Sequence, residues 1–157
     1  MIDRKDRDIL RVIQTKGRIP IVELAAAVNL TKSPCLQRLR RLEKNGVIRG
    51  YRADIDPKKV QKGYLVYVQV KLESTRRTAL EGFNLAVKNI PEVLACHMLS
   101  GGYDYLMKIR TSDMDAFREL LGGVIAELPN VNQTDSYPVM EEIIDTSVIQ
   151  IPESDFQ

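Results

Sequence analysis

Apolar residues in the first fifty positions recur at helical spacing. Ile9, Leu10 and Ile13 share one face of a helix that Asp3 can cap and Gly17 can stop, so a first helix is predicted to end near Lys16. Ile21, Leu24, Ala25 and Val28 fall at i, i+3, i+4 and i+7, the one-sided stripe of a short second helix. Asn29 tolerates the left-handed backbone of a tight turn. A third helix starts after Thr31, with Pro34 near its first turn, and ends at Gly46. Two helices joined by so short a turn make a helix-turn-helix. The stretch 47–56, VIRGYRADID, reads as a strand carrying Arg49 and Arg52, an extension or linker that Pro57 closes.

From residue 64 the period changes from helical to alternating. Tyr64, Val66, Val68, Val70 and Leu72 share one face of a strand over 64–74, and Leu65 with Tyr67 makes part of the other face apolar. A helix is predicted over 76–89, with Leu80, Phe83, Val87 and Ile90 in step and Pro91 as its end. Two strands follow, 92–100 and 104–111, hinged at Gly101 and Gly102. A second helix over 113–128 directs Met114, Phe117, Leu121, Val124 and Leu128 inward, and Gly122 with Gly123 weakens its middle by roughly 1 kcal/mol each. A last strand or strand pair runs over 131–151, interrupted by Pro138. The order β-α-β-β-α-β is the ferredoxin-like pattern. Its sheet carries helices on one face only, so apolar side chains on both faces point to a partner sheet and a homodimer.

The expected fold class is therefore α+β. A winged helix-turn-helix head with linker spans 1–60, a ferredoxin-like βαββαβ domain spans 61–152, and a polar tail spans 153–157. Charge divides the chain at the same place. Residues 1–60 hold 15 Lys and Arg against 7 Asp and Glu, whereas 61–157 hold 8 against 14. Only the first part is suited to a polyanion.

Projecting the third helix at roughly 100° per residue places Cys35, Leu39 and Leu42 on one arc, with Leu36 at its edge. Ser33, Gln37, Arg40, Arg41 and Lys44 lie opposite. That arc holds guanidinium forks for guanine edges, an amide for adenine and cations for phosphates, the equipment of a major-groove reader. Arg38, on the border, either meets phosphate or flanks the core. Thr31, Lys32 and Pro34 at the start of this helix, and Arg18 before the second, complete the candidate interface with double-stranded DNA. Taken alone, such a charge run is equally a solvated face; the turn and the basic balance favour DNA.

Between the two middle strands, Gly101 and Gly102 are on one reading a hairpin turn. On the other, a glycine pair exposes backbone N–H groups that hold a carboxylate, while Asp104 holds an ammonium. A free amino acid presents both groups. Tyr103 and Tyr105 either stack at such a pocket or fill a dimer interface.

The stretches from Glu23 to Tyr51 (ELAAAVNLTKSPCLQRLRRLEKNGVIRGY) and from Pro91 to Arg110 (PEVLACHMLSGGYDYLMKIR) resemble the leucine-responsive regulatory protein/AsnC family, the feast/famine regulators. The similarity extends over nearly the whole chain. It implies a winged head for operator binding and a C-terminal domain that dimerises, with dimers often assembling to tetramers or octamers. It also implies a small effector, usually an amino acid, lodged between dimers near a Gly-x-x-Asp turn. Here that turn is Gly101, Gly102, Tyr103, Asp104, flanked by Leu99, Ser100 and Tyr105; the opposing wall is Thr134, Asp135 and Ser136. The chain departs from the family at Pro20 and Thr31, where serine is commoner, and both still suit a helix start. Gly102 replaces a residue that is polar in many relatives.

Other chemistry is sparse. Cys35 and Cys96, with the single His97, form neither a disulfide framework nor a zinc cluster, and no metal or cofactor is expected. Cys35, near a helix start, is either a thiol of lowered pKa or a small core residue, and Cys96 reads as a core residue. His97, on a strand face with Val93, Ala95 and Leu99, reads as a buried or interface histidine. No apolar run approaches the ~18 residues of a membrane helix, and the charged N-terminus is not a signal peptide; the cytoplasm is the expected compartment. Two rivals remain beside an effector-responsive regulator. One is an enzyme, since some siroheme decarboxylases resemble this family, but no nucleophile–base pair is evident. The other is an architectural DNA-coating protein without an effector.

Overall fold

The computed structural model describes residues 2–153, so the expected tail lies, from residue 154 on, outside the described residues. The described residues divide into two compact units, residues 2–55 with 144–153, and residues 56–143.

The first unit opens with α1, Arg4–Lys16. Asp3 caps it by accepting from the Asp6 amide at 3.0 Å, and the Asp6 carboxylate accepts from the Asp3 amide at 3.0 Å. This reciprocal capping box satisfies two donors that a helix start leaves unpaired. Gly17, at φ 54°, ends the helix. Then come α2, Ile21–Ala27, and α3, Lys32–Lys44, joined at Asn29 with φ 54°. Ile9, Ile13, Leu24, Ala25, Val28, Cys35 and Leu42 form the core of this unit. Beyond Gly46, the strand expected over 47–56 does not form. Its residues are largely exposed, and Gly50 at φ 154° breaks the extended path. Tyr51 donates to Glu43 at 2.8 Å, which ties this segment back to α3.

Residues 144–153 return to this unit rather than completing the strand pair expected up to 151. Gln14 of α1 grips Ile149 twice, donating to its carbonyl at 3.1 Å and accepting from its amide at 2.7 Å. Arg11 donates to the Ile151 carbonyl at 3.0 Å.

The second unit contains β1 (Tyr64–Leu72), α4 (Arg77–Val87), β2 (Val93–Met98), β3 (Tyr105–Thr111), α5 (Met114–Leu120) and β4 (Val131–Pro138). Its antiparallel sheet has the order β2-β3-β1-β4, as the ferredoxin-like pattern requires. Val66, Val68, Val70, Met107 and Ile109 point from the sheet to Phe83, Val87 and Phe117 of the two helices. The side chain of Phe83 is fully buried, so Phe83→Ala is expected to cost roughly 3–5 kcal/mol.

α5 departs from the expected pattern. After Leu120 the chain makes a π-helical turn, Leu121–Ile125, which holds Gly122 and Gly123. A π turn takes in an extra residue, which moves the inward position from Val124 to Ile125. Phe117, Leu120, Ile125 and Leu128 are buried, while Met114 and Val124 are 50% and 42% exposed and Leu121 is only partly buried. Among the described residues no helix is long and apolar enough to cross a membrane.

Candidate DNA interface and effector site

Helix α3 is amphipathic as the projection requires: Cys35 and Leu42 are buried, while Ser33, Gln37, Arg40, Arg41 and Lys44 are exposed. Burial pushes the Cys35 thiol above its ordinary pKa, which leaves it a core residue and not an activated nucleophile. Thr31 occupies the N-cap position without a side-chain capping bond. Lys32, Pro34 and Arg18 are exposed nearby in the sequence, Arg18 on the link between α1 and α2.

The basic face is not uniform. Arg38 Nη1 donates to Asp6 Oδ1 at 2.9 Å and also pairs with Asp3, and Arg41 Nη2 donates to Asp6 Oδ2. Asp6 has no solvent exposure. Desolvation would raise the Asp3 carboxyl, but hydrogen bonds from Arg38 and the Asp6 amide outweigh it and hold the group below its ordinary value. Arg38 and Arg41 therefore bind α3 to α1. The border position of Arg38 was legible in the sequence; the inward commitment of Arg41 was not, because its partner lies 35 residues away.

In the second unit, the loop 99–104 joins β2 to β3. The Leu99 amide donates to the Asp104 carbonyl at 2.8 Å, and the Asp104 amide donates to Val70 at 2.9 Å. The Asp104 carboxylate accepts from the Leu72 amide at 2.8 Å and lies 3.6 Å from the Lys71 ammonium. It is thus a strand-end partner as well as a charge. Gly101 and Gly102 are exposed, neither has positive φ, and a Cβ on either would meet nothing within 4 Å. Within this chain neither turn geometry nor packing calls for glycine there.

Tyr103 lies between the two stretches that the family resemblance implies as opposing walls. The Asp135 side chain beside it favours the protonated phenol and pushes it up to about 12. Around it, Gln133 Nε2 donates to Asp135 Oδ2 at 3.0 Å, and the Tyr137 hydroxyl donates to Gln69 Oε1 at 3.3 Å. These side chains alternate onto the sheet face opposite the helices, as the pairing of Gln69 with Asp135 and Tyr67 with Tyr137 requires.

Three expected site residues do not join them. Tyr105 pairs with Val70, points into the core and stacks on Phe83 with centroids 4.4 Å apart. Thr134 and Ser136 sit opposite Val70 and Val68, on the helix-covered face. Leu99 and Ser100 remain exposed beside the loop. A register shift between Val93 and Ala95 puts His97 opposite Leu106, exposed and on a different face from Val93. Burial pushes the half-buried Cys96 thiol up to about 11.

A basic helix-turn-helix beside a ferredoxin-like sheet with a glycine loop is the build of a ligand-responsive transcription regulator. Residues 2–49 match the family model of the winged helix-turn-helix DNA-binding domain, and residues 65–149 match that of the Lrp/AsnC ligand binding domain. The chain is 46% identical to the leucine-responsive regulatory protein of Escherichia coli over 142 residues, which covers 90% of this chain and 87% of that protein. It is 43% identical to the proline dehydrogenase transcriptional activator of Rhodobacter capsulatus over 145 residues, covering 92% and 94%. A transcriptional regulator of Neisseria meningitidis, solved as a complex with L-Met, superposes with a TM-score of 0.90 at 35% identity, covering 96% of this chain and 97% of that one. The chain belongs to the Lrp/AsnC family of DNA-binding transcription regulators, and not to a family of enzymes.

Proposed function

We propose that this regulator reads its operator with the outward edge of α3 and that a free amino acid at loop 99–104 modulates that binding. Ser33, Gln37, Arg40 and Lys44 are the groove-facing set; Thr31, Lys32, Pro34 and Arg18 supply backbone contacts around it. Arg38 and Arg41 position the helix from within the head. The effector's carboxylate rests on backbone N–H groups at Gly101 and Gly102, and its ammonium is drawn to Asp104. Gly101 and Gly102 carry this reading, since neither backbone strain nor internal packing accounts for them. Tyr103 and Asp135 form the polar wall beside the loop. The complex of the Neisseria meningitidis relative with L-Met supports an amino acid as the ligand class.

The working unit is a homodimer, paired through the sheet face that carries no helix and assembling further to a tetramer or octamer, in the cytoplasm. Calorimetric titration of the twenty amino acids tests the effector, each followed by a shift in operator affinity or particle size, because a ligand moves an equilibrium only through differential affinity for its states. Operator binding with no response to any of them would leave an architectural DNA-binding protein.

A further inference from the structure

Helix α3 packs five cations, Lys32, Arg38, Arg40, Arg41 and Lys44, into 13 residues. A helix so basic invites binding to any duplex, because each phosphate it neutralises releases counterions whatever the base sequence. A selective regulator needs some of that charge withheld. The buried carboxylate of Asp6 has the position to do this. It holds Arg38 on one oxygen, and Arg41 with the Asp3 amide on the other.

Contacts rather than spacing divide the helix: Arg38 and Arg41 both reach Asp6 of α1, although Arg41 neighbours Gln37 and Lys44 on the helix surface, whereas Gln37, Arg40 and Lys44 are exposed. For Arg41 to reach a phosphate it must leave a carboxylate that has no solvent to replace it. Breaking a buried ion pair costs more than an exposed charge contact returns.

We infer that Asp6 is a specificity-determining positioning residue: it withholds Arg38 and Arg41 from the DNA backbone and leaves Gln37, Arg40 and Lys44 to meet the groove. The inference rests on α3 being the reading helix. Its consequence is selectivity: the ratio of specific to non-specific binding is set partly by a carboxylate on another helix, which touches no DNA.

The test uses the full-length protein and two duplexes, one selected by the wild type from a random pool and one of scrambled sequence. Affinity for both is followed across roughly 50 to 200 mM salt. In Asp6→Asn, Arg41 loses its charge partner while Arg38 keeps Asp3; the freed guanidinium is expected to tighten binding to the scrambled duplex several-fold, narrow the ratio between the two duplexes, and steepen the log–log salt slope by about one. Arg41 keeps 49% of its side chain exposed, so it has solvent to swing into without disrupting the core. Arg41→Gln is expected to leave both salt slopes unchanged, whereas Arg40→Gln is expected to weaken binding to the selected duplex.

Unchanged slopes and ratio in a folded Asp6→Asn overturn the inference. So does a slope shallower by about one in Arg41→Gln, since Arg41 would then already sit on a phosphate. If Asp6→Asn fails to fold, Arg41→Gln decides alone. Should Arg40→Gln also leave both duplexes unaffected, α3 is not the reader, a separate failure that removes the ground under the inference.

Discussion

The Asp135 carboxylate lies close enough to Tyr103 to raise its phenol, which sets the loop after β2 beside the last strand of the sheet. The two residues lie 32 positions apart in sequence, and neither belongs to the hydrophobic core. Beside them runs the polar row formed by Gln69, Gln133 and Tyr137.

The proton linkage of Tyr103 has a definite sign. Asp135 raises the Tyr103 phenol from an ordinary 10 to about 12, so the folded chain binds this proton more tightly than the unfolded one. The resulting stability is fully present below pH 10 and lost as pH rises through 12. Tyr51, pushed up to about 12 by burial and by its bond to Glu43, behaves in the same way. Phenolate absorbance is therefore expected to show a late-titrating class that shrinks by one group in Tyr103→Phe. An unchanged titration curve in that variant would show that Tyr103 is not among the late-titrating phenols.

The helices and the inward strand faces were legible because burial repeats at 3.6 and 2 residues. The same alternation places Tyr105 with Met107 and Ile109 in the core, so its side chain points away from the face that carries Asp135. The slip in α5 was not legible, since regular spacing through Leu121 and Val124 looks apolar enough; only Gly122 and Gly123 hinted at a weakened helix. The partnership of Asp6 with Arg38 and Arg41 also lay beyond reading. Capping explains an acid at that position without any contact from residues 32 and 35 places away. Nor does local pattern separate a strand over 47–56 from the exposed chain that is found, because Arg49, Tyr51 and Arg52 suit both.

Asp104 serves two demands that different substitutions separate. Asp104→Ala removes the acceptor of the Leu72 amide, which is buried, and is expected to cost about 1–3 kcal/mol by thermal or denaturant unfolding. Asp104→Asn keeps an oxygen for that amide while removing the charge. If the effector's ammonium uses the charge, Asp104→Asn is expected to weaken effector binding by about tenfold or more, corresponding to a charge-assisted hydrogen bond of roughly 1.5–3 kcal/mol. Wild-type affinity in a folded Asp104→Asn would place the ammonium elsewhere and leave Asp104 a strand-end partner only.

Gln14 holds both backbone groups of Ile149, so the segment 144–153 is part of the DNA-binding unit. These bonds are solvent-exposed, and water replaces them readily. Gln14→Ala is therefore expected to lower stability by only about 1 kcal/mol, with a faster amide exchange localised at Ile149. Protection at Ile149 equal to that of the wild type would show that the return segment is held by other contacts.

Assembly follows from where apolar surface is left. Both helices of the second unit pack on one sheet face, and beyond β4 the segment 140–144 carries Met140, Ile143 and Ile144, each more than three-quarters exposed. Leu94 and Met98 on β2 are also more than half exposed. A single exposed apolar residue means little, but a run of them marks an interface. The wild type is expected to sediment as a dimer or larger at micromolar concentration. Met140→Glu combined with Ile143→Glu should shift it towards monomer by placing charge where a partner packs. Operator affinity should fall with it, because a dimer engages two half-sites about a helical turn apart, or a multiple, and a monomer engages one. A monomeric wild type would reject the dimer outright. A double variant that sediments like the wild type would move the interface away from 140–144 and leave the edge at Leu94 and Met98 as the surface to charge next.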